Sequence, residues 1–366
     1  LKEQYLQLML LAKKLGKFII LFVLIVGIIM NLTYTNNFDV PLSLSLWLVD
    51  DGYDHAAVSA PNTYSVTELL KPLKQVVMKR KLLKTDIEIQ TDLVSLVSSR
   101  LGQAVHDSIE KTWRAAVKKA LIEKDYRLLE LVGINKFLAD KILVDPEPED
   151  ITDDSIVIYM ERRVNKKIGK FTVTGQADFN FEGQLEDFKT TKCYSWSTGL
   201  NDHHYIWQGS MYRWLDPQRI TSDTTRISFL FTDWSAKNIA MPNYPAAQVQ
   251  SRLYTLKSTF ATEAFVREKL NKIDFYLDKP EEEIPECTDE DIWKKPDKFA
   301  YFKNPNSSRA TKVFDDENEA NLRLVADGNV GKIDVRRGEV GACRYCAAFP
   351  ICKQKDRYLR DGSLKI

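Results

Sequence analysis

The sequence predicts an α/β protein in which helices flank a central mixed sheet, and three observations carry that expectation. Apolar residues recur at spacings of three and four through residues 92–123. Two-residue alternation then takes over in Ile156–Tyr159, Phe171–Phe181 and Leu185–Cys193, with turns at Gly169 and at Glu182-Gly183. A helical stretch from His203 to Leu215 and a strand from Ile227 to Phe231 follow, so the order is helix, three strands, helix, strand.

A chain of 366 residues can bury a sizeable core, as one large domain or two modest ones. Its 44 % apolar and 28 % charged residues place it among ordinary folded proteins rather than disordered ones. The 52 basic and 51 acidic side chains leave a net charge of +1, which excludes a uniformly basic nucleic-acid coat and leaves room for a local basic groove.

The elements can be justified in order. Phe18–Met30 is a run of 13 apolar or glycine residues behind Lys13, Lys14 and Lys17. It falls short of the roughly 20 residues a spanning helix needs. Residues 1–29 are therefore expected to be an upstream translation artefact or a membrane anchor, and residues 1–36 are set apart as a hydrophobic extension. Membrane association is not expected, and the location expected is cytoplasmic. Residues 31–61 show no period. Ser65 opens a helix with Glu68 three residues on, a capping box. That helix carries Lys71, Lys74, Lys79, Arg80, Lys81 and Lys84, either as a solvated face or as a phosphate-contacting one.

The helix of 92–123 has Leu93, Val97, Leu101, Val105, Ile109, Trp113, Val117 and Ala120 in its stripe, with His106 beside it. Beyond the strands, residues 245–277 read as one long amphipathic helix with Val249, Leu253, Leu256, Phe260, Val266, Leu270 and Ile273 on its apolar side. Residues 278–342, rich in charge, Pro and Asn, read as a loop-rich segment leading into the cysteine cluster. The expected division is a core over 37–278 and a loop-rich cysteine-cluster cap over 279–366. No repeat of 20–50 residues is visible.

The chemistry concentrates in Gly175-Gln-Ala-Asp178 and Asp187-Phe-Lys189. The hairpin turn at Glu182-Gly183 brings Asp187 back beside Asp178, and residues two apart on a strand share a face, so Asp187 and Lys189 project together. Two carboxylates with one ammonium suit Mg²⁺ and a phosphate. An Asp-x-Lys pair alone is equally the mark of a solvated hairpin.

The ordered set resembles the RecB-like members of the PD-(D/E)xK superfamily, the AddB- and Cas4-type nucleases. In that family a histidine on a preceding helix joins the metal site, and His106 in Gly102-Gln-Ala-Val-His106 fits that position. The family also has a glutamine-x3-tyrosine motif after the lysine strand, matched by Gln208-Gly-Ser-Met-Tyr212, two residues on one helix face. The resemblance covers most of the chain after Met30. It implies a restriction-endonuclease-like fold and a Mg²⁺- or Mn²⁺-dependent DNA nuclease, in overall arrangement like phage-encoded exonucleases. His106, Asp178 and Asp187 would hold metal, Lys189 would position water, and Gln208 and Tyr212 would orient the site. DNA is the expected partner, with a recombination or helicase protein as a further one. The alternative is a non-catalytic DNA-binding or recombination module on the same fold. Glu110 and Glu161 are secondary ligand candidates, and Glu186 is expected on the opposite face.

Cys343-x2-Cys346-x5-Cys352 places three thiols within ten residues, which need a fourth ligand to close a zinc or four-iron site. The spacing resembles the C-terminal part of the iron–sulfur staple of the same nucleases. In those relatives the fourth cysteine precedes the core. Here none precedes Cys193, and Cys287 is the replacement, which leaves a 4Fe-4S cluster with zinc as the alternative. Trp293 and Tyr301 are candidates either for stacking on bases or for core packing.

Overall fold

The computed structural model describes residues 32–50 and 60–365, so the apolar run Phe18–Met30 and the expectations attached to it lie outside the described residues. Among the described residues no helix is long and apolar enough to cross a membrane. The described residues divide into two compact units, 32–50 and 60–70 with 88–270, and 71–87 with 271–365.

The chain begins with β1 (Leu32–Thr35) and α1 (Leu42–Val49), then β2 (Thr63–Ser65) and α2 (Val66–Leu69). Ser65 caps α2 by accepting the Glu68 N–H at 3.1 Å, as the capping pattern predicts. The single helix expected from Ser65 is broken, because Pro72 disfavours helical backbone at Lys71, and α3 (Leu73–Leu82) starts afresh. In the second unit, α3 uses its cations internally. Lys74 pairs with Glu281 at 3.1 Å and the Lys81 ammonium donates to the Lys279 carbonyl. A ready-made phosphate face at these two positions is thereby corrected. After β3 (Ile89–Asp92), paired in parallel with β1, comes α4 (Val97–Lys118).

The central sheet runs β4 (Ile142–Val144), β5 (Ile156–Ile168), β6 (Phe171–Phe181), β7 (Gln184–Thr191), β8 (Thr224–Phe231) and β9 (Val249–Thr255), neighbours in that order, with β2 also on β6. The pairing is mixed: β4–β5, β7–β8 and β2–β6 are parallel and the others antiparallel. Glu182 (φ 51°) and Gly183 (φ 81°) make the two-residue turn between β6 and β7, with both central residues left-handed as a tight hairpin of this twist requires. The parallel step from β7 to β8 needs a crossover, supplied by α5 (Cys193–Thr198) and α6 (Asp202–Leu215).

Helices cover both faces. Val117 and Trp113 of α4 pack on Ile142, Ile158, Met160, Phe179 and Phe188. On the other face, Tyr205 of α6 and Cys193 and Trp196 of α5 pack on Ile227, Phe229, Phe231 and Tyr254.

One sequence expectation is corrected and another is refined. Residues 245–277 are not one helix: β9 comes first and α7 (Thr259–Leu277) follows. Val249, Leu253, Leu256 and Phe260 imitate helical spacing, but the first two are exposed and the segment is held in the sheet by antiparallel pairing with β8. Residues 278–342 are loop-rich, as expected, but the loops carry a small sheet that the sequence did not announce. It is antiparallel and three-stranded, β10 (Lys298–Phe302), β11 (Lys312–Phe314) and β12 (Lys332–Arg336) in the order β11-β10-β12, with α8 (Glu317–Ala326). Tyr301 is fully buried there, its hydroxyl 2.9 Å from both the Asp327 carboxylate and the Val330 carbonyl, so it is core rather than a stacking surface. Helix α9 (Gln354–Arg360) ends the second unit.

Candidate metal and catalytic centre

The site lies where β6 and β7 part. Their ladder consists of three pairs, Phe179 with Glu186, Asn180 with Leu185 and Phe181 with Gln184. Nearer its start, β6 is paired instead with β2, at Thr172–Thr174. Between those stretches β6 has no ladder neighbour on that edge, and Gly175-Gln-Ala-Asp178 falls in the gap. A buried backbone group needs a partner, and here side chains provide it. The Asp178 carboxylate accepts the Phe188 N–H at 3.2 Å, and His106 Nε2 lies 2.9 Å from the Phe188 carbonyl. The fork is thus closed by two of the three residues that the sequence reading names as metal ligands, His106 and Asp178.

Gly175 is needed for packing at this point. A Cβ there would stand 2.6 Å from Leu215 and 2.9 Å from Tyr212, so only glycine lets α6 come this close to β6.

His106, Glu161 and Asp178 offer ligand atoms that all lie within 4.8 Å of one another. His106 Nδ1 is 3.2 Å from Asp178 and 3.8 Å from Glu161. Glu161 was a secondary candidate in the sequence, and the structure brings it forward. It sits mid-strand in β5 with φ of 49°, a left-handed backbone that a glutamate adopts only at a cost. The β5–β6 ladder skips the Glu161–Asp178 position, with Met160–Phe179 and Arg162–Ala177 paired on either side. Gln176 donates to Glu161 at 2.8 Å and is itself held by Arg163 at 2.7 Å, so the interior of the Gly175–Asp178 motif aims the third ligand. Glu110 is not part of this group; it pairs with Arg114 at 2.8 Å.

Burial alone would lower the His106 pKa, but hydrogen bonds to Asp178 and Glu161 and the charges of Asp178 and Asp187 outweigh it and raise it to about 10. Burial would likewise raise Asp178, yet His106 and Lys189 hold it below the ordinary carboxylate value. The three groups already balance a positive charge at the point where their ligand atoms converge.

Asp187 and Lys189 share the other face of β7, and their charged atoms are 2.5 Å apart. Asp187 is 2 % exposed, and neither of its oxygens has a well-directed hydrogen bond. Burial, reinforced by the Asp178 charge and opposed by Lys189, raises its pKa to about 7. Lys189 would be lowered by burial, but Asp187 and Asp178 raise it, so it stays an ammonium. A buried carboxylate short of hydrogen bonds beside a cluster of oxygen and nitrogen donors is what a divalent cation would complete. The donor set therefore fits the metal that the sequence implies, although the tightest group contains Glu161 rather than Asp187. Glu186 points away, as expected, and accepts from the Ser228 hydroxyl.

On α6, Gln208 and Tyr212 are buried on one face, with Gln208 Nε2 donating to the Tyr212 hydroxyl at 3.2 Å. Burial, then the Asp178 and Asp187 charges, keep Tyr212 well above its ordinary pKa, so it faces the centre as a neutral phenol. His203 accepts from the Trp207 indole at 2.9 Å, a bond within the helix.

In the second unit the four cysteines of the sequence reading converge. Burial and then the neighbouring Asp291, Cys346, Cys352 and Cys343 raise the Cys287 thiol to about 12; burial, Cys346 and Cys352 raise Cys343 to about 11. Cys287 is held by a reciprocal clamp: its N–H donates to Gln354 Oε1 at 3.0 Å, and Gln354 Nε2 donates back to its carbonyl at 2.8 Å. Gln354 follows Cys352 by two residues, so the clamp ties the distant cysteine to the trio. Cys193 belongs to the other unit's core.

No family model matches the chain, and no curated protein matches it. Among solved structures, the chain is similar to that of SSO0001, with 14 % identity and a TM-score of 0.39 over 66 % of this chain and 89 % of that one. It is also similar to a phage-related exonuclease from Haemophilus somnus 129PT, with 13 % identity and a TM-score of 0.24 over 49 % of this chain and 86 % of that one. At this level of likeness neither neighbour decides what the chain does, and the reading rests on the residues at the fork.

Proposed function

We propose that the chain is a divalent-metal-dependent deoxyribonuclease with a RecB-like PD-(D/E)xK core, an exonuclease in its mode of attack. The observation that supports it most is the juxtaposition at the β6–β7 fork: His106, Glu161 and Asp178 with ligand atoms within 4.8 Å, beside the Asp187–Lys189 pair. A Mg²⁺ or Mn²⁺ ion bound there would supply Lewis-acid stabilisation of charge on a phosphate. The chain's own groups do the rest. The Lys189 ammonium, held by Asp187, orients a water and stabilises negative charge that grows on the phosphate oxygens. Asp187, close to neutrality in its pKa, can take up and pass on a proton. The backbone carbonyl of Phe188 fixes the His106 tautomer with Nδ1 toward the carboxylates.

The cysteine set is read as the seat of a 4Fe-4S cluster. Cys287, Cys343, Cys346 and Cys352 would supply the four thiolates that such a cluster needs, and a single zinc is the alternative that the same four ligands would accept.

The test is incubation of end-labelled linear and closed circular DNA with the protein in Mg²⁺, in Mn²⁺ and in EDTA. The proposal expects metal-dependent shortening of the linear form, with the closed circle resistant. Absence of cleavage of either form in both metals would overturn the nuclease, and cutting of the circle would overturn the exonuclease.

A further inference from the structure

A recess separate from the metal centre opens on the same face of the sheet, and it has no part in the chemistry described above. Its volume is about 380 Å³, and Trp196, Thr198, Asn243, Tyr244, Gln250 and Arg252 are among its lining residues. That is within the range of pockets that hold small organic groups, ~300–1,000 Å³. Strand register fixes its place. Asp187 is in register with Ile227 and Ile227 with Arg252; Lys189 is in register with Phe229 and Phe229 with Gln250. Directly opposed residues share a face, so Arg252 and Gln250 lie two strands, about 10 Å, to the side of Asp187 and Lys189.

The chemistry of the recess is that of a flat, heteroatom-edged ring. Trp196 is set edge-on against Phe229 and Phe231, which fixes its plane. The Arg252 guanidinium lies over that plane at 4.0 Å and is tethered by Asp202 at 3.5 Å. An arginine held over a ring in this way, with a third of its side chain still exposed, can offer its guanidinium as a stacking platform, the arrangement by which proteins hold unpaired bases. Gln250 Oε1 accepts the Ala246 N–H at 2.9 Å, which leaves the amide Nε2 to donate into the recess. Asn243 adds an amide that can both donate and accept.

We propose that this recess binds an unpaired nucleobase of the strand whose phosphate occupies the metal centre. The inference rests on the nuclease reading. A separation of about 10 Å is about three stacked nucleotides at ~3.4 Å each, so one strand can occupy both places. The consequence is a preference for single-stranded ends, with affinity drawn from the bases as well as from the phosphates.

The test uses fluorescein-labelled dT12 and an abasic 12-mer of equal charge, with anisotropy read in Mg²⁺ on a Lys189→Ala background so that the probes survive. The protein should hold dT12 about tenfold more tightly than the abasic strand, the size of one base stack. Arg252→Ala should remove that difference, and so should Arg252→Lys, which keeps the charge and loses the plane. Equal affinity for the two probes, failure to bind either, or a difference that both Arg252 variants preserve would overturn the proposal. Cleavage by the protein with Lys189 intact reports separately on the nuclease, so failure of the recess and failure of the nuclease reading are told apart.

Discussion

His106 binds a proton more tightly than a histidine ordinarily does, and metal and proton compete for it. Burial disfavours its charge, yet Asp178 and Glu161 raise the pKa to about 10, so at neutral pH the metal-free site is protonated. The raised pKa stabilises the metal-free fold fully below the unfolded value near 6.5, and that contribution is lost as pH rises through 10. Asp187 has the same direction over a lower window, since its pKa rises from 3.8 to about 7 and charging it in the folded state costs stability as pH increases between them. Mn²⁺ binding at pH 7.5 should therefore release about one proton per ion. Calorimetric titration in two buffers of different ionisation enthalpy measures this, and identical heats in both would refute it. Asp178, Asp187 and Lys189 were legible from the hairpin and strand spacing, whereas His106, Gln208 and Tyr212 were named only through the resemblance to RecB-like nucleases. Glu161 was the under-read residue. Its left-handed backbone inverts where a strand residue should point, and nothing in the alternation of 156–168 signals that inversion.

The site depends on elements that touch at small residues and part at defined places. Gly175 faces Tyr212 and Leu215 so closely that Gly175→Ala must displace one of them. Overpacking of this kind costs ~1–3 kcal/mol. The variant should melt several degrees lower by calorimetry and cleave at least tenfold more slowly, since Tyr212, 2.9 Å from the added Cβ, is pushed together with Leu215. An unchanged melting point and rate would show that α6 is looser than its packing indicates. The elements misread from the sequence share one cause. For 249–255 the deciding force is pairing with β8, a contact with a segment some twenty residues away that no local period records. Strands β10, β11 and β12 are three to five residues long, too short for alternation to stand out among charged neighbours. The long strands and α4 were legible because each repeats its period several times.

Each of the two units carries its own cluster of ligand-type side chains: carboxylates with a histidine in the first, thiols in the second. The Cys287 and Cys343 thiols, raised to about 12 and about 11, are protonated at neutral pH, and a metal cluster bound there, as proposed, would hold them as thiolates. Anaerobically purified protein should be brown and contain about four irons per chain. Cys287→Ser should lose that colour and iron together, with a lower melting transition, whereas full retention of both would exclude Cys287 as a ligand. The second unit's small core of Ile292, Val340, Tyr358 and Leu364 packs directly against Cys287 and Cys343, so the loss of the cluster should be felt there first.

Cleavage of end-labelled linear DNA in Mn²⁺ by the wild type and by Lys189→Ala, with bound Mn²⁺ counted by electron paramagnetic resonance in the same samples, tests the central claim most directly. On the proposed function, His106, Glu161 and Asp178 hold the metal and Lys189 stabilises charge on the phosphate. The variant should bind Mn²⁺ within a few-fold of the wild type and cleave ~10²–10³ times more slowly. Equal cleavage by the two proteins, or a wild type that binds no Mn²⁺, would contradict it.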